Sequence, residues 1–347
     1  MLIRVLGSAA GGGFPQWNCG CPNCRGTREG TLPAVARSQE SVAVSADGRG
    51  WFLLNASPEI RQQIEGFPPL HPRDRRHSPI QAVLLTNGDL DHCLGLLSLR
   101  ESHPLVVYAT ERVRVGFTER NVLYRTLERF PGQITWRILK PGRREELLGV
   151  TGRESGLVVE ALPVPGKPPV HLEGLMPPDP EDNVGFRIRE EATRRTLAYV
   201  SGVGALTDSV RQALEGADCV FFDGTFWSSD ELRALGLGEK RAEDMAHLPV
   251  GGPAGSARQL ATLGAARKVY IHLNNTNPLL REDSPERASV TTAGWEIAHD
   301  GMEFTLCLTG PRAPRCRERS SSNGSGARAS AATMTTIAIT CSCTTVS

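Results

Sequence analysis

An apolar run that ends in a polar turn is the first segment whose residue types could do chemistry. In QAVLLTNGDLDHCLGLLSLR (81–100) the run is followed by Asn87, Asp89, Asp91 and His92, and then by an apolar pattern typical of a helix. A strand that ends in clustered acids and a histidine presents metal-ligating or acid–base groups at a sheet edge, where loops carry chemistry on a rigid scaffold. The turn therefore predicts an active-site segment.

Three cysteines near the N-terminus form a second candidate site. Cys19, Cys21 and Cys24 lie together in a loop that also contains Gly and Pro. Thiolates are favoured zinc ligands, and disulfides are not expected in the cytoplasm, so the spacing predicts one tetrahedral structural zinc that needs a fourth ligand. We take His247, in the polar loop EDMAHLPVGG, as the candidate fourth ligand. Unpaired structural cysteines are the alternative.

Two later strands also end in residues that could bind a metal. Asp223 ends the apolar run CVFFD, and His272 follows KVYI. A carboxylate in an apolar strand is costly unless it is paired or bound to a metal. Each residue also has a simpler explanation; Asp91, for example, could merely cap the helix that follows it. The repetition of such residues at strand ends favours a shared site.

The elements that must position these residues are predicted from apolar patterning. Segments rich in β-branched or aromatic residues and bounded by turn formers predict strands, and amphipathic segments between them predict helices. Two strand-rich halves, each followed by helices, indicate an α/β fold in which two sheets pack face to face with helices outside. The Pro-rich segment 163–180 is expected to cover or border the site. The predicted strands are 2–7, 41–45, 50–57, 82–86, 105–110, 135–139, 157–164, 184–189, 196–201, 219–224 and 268–273, and the predicted helices are 57–64, 92–101, 110–130, 206–217 and 256–266.

Composition limits the remaining possibilities. The 347 residues, 39% of them hydrophobic, can bury a large core. Because 39 Lys and Arg balance 38 Asp and Glu, no general attraction to nucleic acid or anionic membranes is expected. No apolar run approaches the roughly 18 residues of a membrane span, and the Gly-rich N-terminus does not resemble a signal peptide, so we expect a cytoplasmic protein. We predict a folded domain over 1–305 and a low-complexity, disordered tail over 306–347, with a functional basic tail as the alternative.

The turn N-G-D-L-D-H resembles the metal-binding motif H-x-H-x-D-H of the metallo-β-lactamase fold. Asn87 and Asp89 replace the two leading histidines, whereas Asp91 and His92 keep their places. The position that would supply a further histidine reads Pro165-Gly166-Lys167 and offers no ligand. The resemblance implies an αββα sandwich of two packed mixed sheets flanked by helices.

Residues 1–305 resemble one branch of that superfamily more specifically, the pyrroloquinoline quinone (PQQ) biosynthesis protein B family. The segments that carry this resemblance are GSAAGGGFPQWNCGCPNC, NASPEIRQQI, TNGDLDHCLGLLSLRE, DMAHLPVGGP and IHLNNTNP. Relatives in the phosphodiesterase branch pair a Cys-x-Cys-x-x-Cys loop with a distant histidine on a structural zinc, which supports His247 as the fourth ligand.

The resemblance implies one open metal site instead of two. Asp223 and His272 match the family's metal-bridging acid and its last histidine, and with Asp91 and His92 they are the predicted ligands and catalytic residues. Asp89 is a candidate extra oxygen ligand, or a residue that holds a histidine in one tautomer. Mixed nitrogen and oxygen ligation with open positions suits Fe(II) at least as well as zinc.

Three functions are compatible with this site. The first is an iron-dependent oxygenase of PQQ biosynthesis that hydroxylates the tyrosine ring of a Glu-Tyr product of the PqqA peptide. The second is a non-catalytic carrier that assists transport of PQQ or its precursor to the periplasm. The third is a metal-dependent hydrolase, against which the missing histidines argue, since such enzymes hold two metals roughly 3.5–4 Å apart. The implied partners are a small dipeptide-like PQQ precursor, other enzymes of the pathway and, as one option, a second copy of the chain.

Overall fold

Among residues 1–307, which a computed structural model describes, the strands form two sheets of seven strands each. With strands numbered in chain order, each strand in the two series below is hydrogen-bonded to the next. The first sheet contains β14 (Glu303–Thr305), β1 (Leu2–Gly7), β2 (Ser41–Ser45), β3 (Trp51–Leu54), β4 (Ile80–Leu84), β5 (Leu105–Ala109) and β6 (Ile134–Ile138). The second contains β13 (Trp295–Ile297), β12 (Arg267–Ile271), β11 (Cys219–Asp223), β10 (Thr196–Val200), β9 (Val184–Glu190), β8 (Glu154–Pro163) and β7 (Arg144–Leu148).

Both sheets are mixed. In the first, strands β3 to β6 run parallel, and β1 and β2 add to them antiparallel. In the second, β10 to β13 run parallel, and β7 to β9 add antiparallel. The parallel half of each sheet therefore presents several strand carboxyl ends side by side, and these are the positions at which the candidate ligands occur.

Helices cover the outer faces of both sheets. Buried side chains form one cluster between the sheets, which includes Leu84 and Phe186, and a further cluster on the outer side of each sheet. This layering confirms the predicted αββα sandwich. The helices are α1 (Pro22–Glu29), α2 (Ile60–Glu65), α3 (Leu90–Cys93), α4 (Gly95–Ser98), α5 (Glu111–Thr118), α6 (Asp208–Leu214), α7 (Glu231–Ala234), α8 (Ser256–Gln259) and α9 (Pro285–Thr292), with 3₁₀ turns at Pro68–Leu70, Val122–Thr126, Val170–Leu172, Glu243–Met245 and Pro278–Leu280.

The predicted strands all occur, but several helices are shorter than predicted. The segment 92–101 holds α4 and the end of α3, and 110–130 is α5 followed by a 3₁₀ turn that the Asn121 side chain caps. Strands β7, β13 and β14 and helices α1, α7 and α9 were not predicted. The predicted tail, 306–347, lies outside the described residues except for its first two positions, so the boundary at 305 stays a prediction. No helix in the described part of the chain combines the length and apolarity that a membrane span requires.

Candidate metal centre

Three strand ends bring the candidate ligands of the open site together. Asp91 and His92 lie in α3, in the turn that follows β4, and Asp223 is the last residue of β11. Because β11 and β12 are parallel and pair Asp223 with Ile271, His272 emerges directly beside Asp223. His272 has a left-handed backbone (φ 61°), a conformation that is uncommon for residues other than glycine and that clusters at functional sites.

Two imidazoles and one carboxylate converge on a single point. The Nε2 atoms of His92 and His272 lie 3.0 Å apart. Asp91 Oδ2 lies 3.2 Å from His272 Nε2 and 3.4 Å from His92 Nε2. Both histidines are buried. Two ring nitrogens and a carboxylate oxygen that face one another in this way form a donor set suited to a divalent metal ion.

A hydroxyl group behind His272 fixes which of its nitrogens faces that point. Thr225 Oγ1 lies 2.6 Å from Asp223 Oδ1, to which it donates, and 2.8 Å from His272 Nδ1. Since the hydroxyl proton is used on the carboxylate, the Thr225 oxygen accepts the proton of Nδ1. The lone pair of His272 Nε2 is then free for a metal. His92 Nδ1 has a threonine neighbour as well, 2.8 Å away at Thr86 Oγ1.

Asp223 is a fully buried acceptor with four donors around it. Its Oδ1 accepts from the backbone N–H and the hydroxyl of Thr225, and its Oδ2 accepts from the Val203 N–H (2.9 Å) and from His247 Nδ1 (2.7 Å). With both oxygens engaged, Asp223 holds two histidines in position, His247 directly and His272 through Thr225. Asp223 thus lies behind the point where Asp91, His92 and His272 meet. One of its carboxylate oxygens is still within 4.8 Å of a ring nitrogen of His247 and of His272.

His247 lies in the open site, not at the cysteines, which corrects the ligand assignment made from the sequence. Its ring stacks on His272, with centroids 5.5 Å apart. The hydrogen bond from Leu248 N to Val203 O (2.7 Å) attaches the loop around His247 to the strand ends of the second sheet. A lone histidine in a polar loop carries no spacing information, so its partner could not be identified from the sequence.

The three cysteines do come together, and the residue beside them is Asn275. The Sγ atoms of Cys19, Cys21 and Cys24 lie within 4.8 Å of one another. The Asn275 side-chain amide contacts all three sulfurs. Burial raises the pKa of Cys21 to about 12. A cation that neutralises three thiolates at close range would offset that cost, so the donor set fits zinc.

The electrostatics of the open site also favour a cation. Burial acts to raise the pKa of Asp91, but His92 and His272 hold it well below its usual range. Burial raises the pKa of Asp89, and the Asp91 carboxylate raises it further. Burial acts to lower the pKa of His92, yet the surrounding carboxylates, led by Asp91 and Glu40, raise it to about 9. The carboxylates thus create a negative potential around the two histidines.

The remaining predicted residues border the pocket that opens onto this site. Asn87 Oδ1 accepts from Asp89 N (2.9 Å), which shapes the turn, and Asp89 Oδ1 accepts from Val170 N (3.4 Å) in the Pro-rich segment. Gly166 and Lys167 lie at the pocket wall, so the segment that offers no histidine does face the site. The lining residues are Asn87, Asp89, Asp91, His92, Gly166, Lys167, Asn183, Gly202, Met245, Ala246, His247 and His272.

Sequence reasoning missed Thr225, Asn55 and Asn275. Thr225 lies two residues after Asp223, a spacing that could have indicated a hydroxyl beside the carboxylate. Asn55 has a left-handed backbone (φ 64°) and lies 2.9 Å from both His92 Nδ1 and Glu40 Oε2 through its Nδ2. Asn275 falls in the run NNTN, whose composition indicates only a turn.

Comparisons with known proteins agree with this fold. A family model described as a beta-lactamase superfamily domain matches residues 50–273. The coenzyme PQQ synthesis protein B of Methylococcus capsulatus is 44% identical over 308 residues, which cover 88% of this chain and 100% of that protein. The protein of the same name from Azotobacter vinelandii is 44% identical over 315 residues, with the same coverage.

Solved structures give the same result. The crystal structure of Zn²⁺-bound PqqB from Methylobacterium extorquens is 42% identical, has a TM-score of 0.80, and covers 88% of this chain and 100% of that chain. A diphosphatase from the PhnP family, 22% identical with a TM-score of 0.59 over 89% of this chain and 99% of its own, shares the fold. These matches place the chain in the beta-lactamase superfamily. Within it, the chain belongs to the family of coenzyme PQQ synthesis protein B, as the sequence motifs predicted.

Proposed function

We propose that the protein acts in the biosynthesis of PQQ as an iron-dependent oxygenase that hydroxylates the tyrosine ring of a Glu-Tyr intermediate derived from PqqA. The observation that carries the proposal is the donor set in which Asp91, His92 and His272 converge. The names of the curated relatives supply the pathway, and the tyrosine ring must gain oxygen before it can become a quinone.

The donor set favours one metal over two. By resemblance to the family motif, Asn87 and Asp89 replace two histidines of a two-metal site, and Pro165-Gly166-Lys167 supplies no further one. Asn87 is in addition engaged with the backbone of Asp89. Asp91, His92 and His272 would hold Fe(II), which supplies oxygen activation when bound and has positions left for other ligands. Zn²⁺ is the competing metal for the same donors.

The residues around the donor set have separate roles in this proposal. Thr225 keeps His272 in the tautomer that binds metal. His247 lines the pocket, and its Nδ1 is held by the buried Asp223 Oδ2 at 2.7 Å, which would fix the orientation of the ring towards a substrate. Lys167, whose ammonium is 3.3 Å from Glu173, lines the same pocket and would attract the carboxylates of an acidic dipeptide.

The test is an anaerobic reconstitution with Fe(II), followed by addition of oxygen, a Glu-Tyr peptide and ascorbate. Hydroxylation consumes one oxygen molecule, two electrons from the reductant and two protons, and yields the catechol and water. We expect the catechol, detected by mass spectrometry, from the wild type and from the surface variant Glu191→Gln. Asp91→Ala and His272→Ala should abolish it.

Other outcomes would support the alternatives. If no catechol forms and the finished quinone binds tightly without turnover, the protein is a carrier. Hydrolysis of a phosphodiester with two metals bound in the open site would support a hydrolase. Metal analysis separates the sites first: Asp91→Ala should lose the open-site metal and keep the zinc, and Cys21→Ser should do the opposite. The cytoplasmic location, pathway partners and homodimer stay predictions.

A further inference from the structure

A buried carboxylate that is not part of the donor set lies behind His92. It belongs to Glu40, the residue before β2, which is only 1% exposed. Its Oε2 accepts from Asn55 Nδ2 (2.9 Å), but among the side chains that the structure describes Oε1 has no hydrogen-bond partner. None of the ion pairs between described residues includes Glu40; the histidines of the open site pair with Asp91 and Asp223. A buried carboxylate is costly unless a positive charge lies near it, and a cation in the open site would supply that charge.

Asn55 connects this carboxylate to His92. Its Nδ2 lies 2.9 Å from Glu40 Oε2 and 2.9 Å from His92 Nδ1. Its Oδ1 accepts from the backbone N–H (2.9 Å) and the hydroxyl (3.0 Å) of Thr86, whose Oγ1 is 2.8 Å from His92 Nδ1. Because the Thr86 hydroxyl proton is used on Asn55, the hydroxyl oxygen accepts the Nδ1 proton and leaves His92 Nε2 free for a metal. Glu40 therefore acts on His92 from the Nδ1 side, through Asn55.

Backbone contacts hold Glu40 and Asn55 in these positions. Asn55 N donates to the Leu84 carbonyl (2.8 Å), and the Asn55 carbonyl accepts from Ser41 Oγ (2.9 Å), so the residue is attached to both β4 and β2. Glu40 N donates to the Ala9 carbonyl (2.8 Å). Asn55 is fully buried and has the left-handed backbone noted above. The Glu40 carboxylate is thus kept beside the open site and away from solvent.

The charges of Glu40 and of the donor set act on one another. Burial raises the pKa of Glu40 to about 7; the positive charge of His92 opposes this effect, and the Asp91 carboxylate adds to it. In the other direction, the Glu40 carboxylate is one of the charges, after Asp91, that raise the pKa of His92. A metal ion held by Asp91, His92 and His272 would therefore place its charge within range of the Glu40 carboxylate.

We propose that Glu40 is a positioning residue of the open site, whose buried charge acts through Asn55 on His92, strengthens metal binding and stabilises Fe(III) relative to Fe(II). The inference rests on the proposed function, which places iron in this site. Attraction to a fixed negative charge grows with the charge of the ion, so the carboxylate stabilises a trivalent ion more than a divalent one. A residue that only kept Asn55 in place would not distinguish the two oxidation states in this way.

The experiment compares the full-length wild type with Glu40→Gln and Glu40→Asp at pH 8, above the pKa of Glu40. Glutamine keeps the shape and an oxygen that can accept from Asn55 Nδ2 but removes the charge, whereas aspartate keeps the charge. Chelator competition with Fe(II) measures the open-site affinity, which is the part that Asp91→Ala removes. We expect Glu40→Gln to weaken it by about tenfold or more. Spectroelectrochemical titration should show a higher Fe(III)/Fe(II) midpoint potential in Glu40→Gln and a nearly unchanged one in Glu40→Asp.

Two further measurements separate the charge from a structural effect. Since Glu40→Gln removes a buried charge that has no partner, the metal-free variant should be at least as stable to urea as the wild type, although it binds metal less tightly. Glu59→Gln is the matched control: this half-buried carboxylate accepts from Gln39 Nε2 (2.9 and 3.0 Å), and its loss should leave affinity and potential unchanged.

Several results would overturn the proposal. They are wild-type affinity and potential in Glu40→Gln, the same changes in Glu59→Gln, a potential in Glu40→Asp that moves as far as in Glu40→Gln, and a loss of affinity in Glu40→Gln that accompanies a loss of metal-free stability. If the wild type has no Fe(II) affinity that Asp91→Ala removes, the proposed function is wrong and this inference falls with it. That outcome is distinguishable from the others because it already appears in the wild type.

Discussion

At the scale of single residues, Thr225 connects the two sides of the open site. Its hydroxyl donates to Asp223 and accepts from His272, and burial lowers the pKa of His272, which favours the neutral ring. A neutral imidazole binds a metal only through the nitrogen that lacks a proton, so the hydroxyl determines the metal-binding nitrogen.

We expect Thr225→Val to weaken metal binding in the open site by about 10–100-fold. Valine has nearly the same shape, but it cannot accept the Nδ1 proton of His272 or donate to Asp223. Chelator competition with Fe(II) or Zn²⁺ measures the loss, and Thr225→Ser, which keeps the hydroxyl, should restore most of the affinity. Equal affinity in the valine variant and the wild type would show that the hydroxyl does not control the tautomer.

Glu231 predicts a pH dependence of stability. Burial raises its pKa to about 7, and its oxygens accept from Trp227 N (2.7 Å) and Thr276 Oγ1. Because the folded-state pKa lies above the ordinary value, folding favours the protonated form; its stabilisation is complete below about pH 4.5 and is lost as the pH rises through about 7. The full loss is on the order of 3 kcal/mol.

The test compares Glu231→Gln with the wild type by urea unfolding at pH 5 and pH 8. Glutamine cannot ionise and can still accept from Trp227 N, so the variant should gain stability relative to the wild type at pH 8 and match it at pH 5. Glu40, whose pKa burial also raises to about 7, titrates in both proteins and cancels from the difference. A difference that is the same at both pH values would contradict the assignment.

The residues that could be predicted from the sequence are those whose neighbours in the chain carry the signal. Asp91 and His92 adjoin an obvious strand end, and the close spacing of Cys19, Cys21 and Cys24 indicates that they bind one metal ion together. His247 and Asn275 acquire their roles from partners that are distant in sequence, Asp223 for one and the cysteines for the other. No local pattern encodes such a contact, so the partner of His247 could not be identified from the sequence.

At the scale of elements, apolar patterning predicts strands well and helix lengths poorly. Strand β11 is continuously apolar and buried and is bounded by turn formers, so its limits were predicted closely. Strand β7, REELL, has two adjacent glutamates, and the exposed β14 is only three residues long, so neither carries the expected alternation. The segment 110–130 has helical periodicity throughout, but regular α-helix ends at Thr118.

The helical turns that carry His92 depend on a close approach at Gly95. A Cβ atom at this position would lie 2.2 Å from the Ser57 carbonyl oxygen and 2.7 Å from that of Ala56. Both oxygens belong to the backbone of the loop after β3. In the same loop, Ala56 N donates a hydrogen bond to the His92 carbonyl (2.7 Å). Only glycine allows α3 and α4 to pack this closely on that loop.

We therefore expect Gly95→Ala to cost about 1–3 kcal/mol of stability and to weaken metal binding, because α3 must move away with His92. Gly264→Ala is the matched control, since no atom lies within 4 Å of its Cβ position, and its effect should stay within about 0.5 kcal/mol. Urea unfolding and chelator competition measure the two effects. If Gly95→Ala behaves like Gly264→Ala, the packing of α3 and α4 does not position the site.

At the scale of the whole molecule, the two sheets are joined by more than their apolar interface. The amino group of Met1, just before β1 in the first sheet, lies 2.7 Å from Glu190 Oε2 at the end of β9 in the second. Both groups are buried, and the amine also donates to the Leu306 carbonyl (3.2 Å) beyond β14. Through these two contacts the Met1 amine connects the β1 and β14 edge of the first sheet to β9 in the second.

We expect Glu190→Gln to destabilise the folded protein by about 1–3 kcal/mol, since it leaves a buried ammonium without its counter-charge. The loss should be below the value of about 3–5 kcal/mol for complete removal of a partner, because the glutamine oxygen can still accept from the amine. Glu191→Gln changes the next residue, a half-exposed glutamate 3.6 Å from Arg189, and should have an effect within about 0.5 kcal/mol. Urea unfolding of both variants at pH 7 provides the measurement. Equal midpoints for Glu190→Gln and Glu191→Gln would mean that apolar packing alone holds the sheets together.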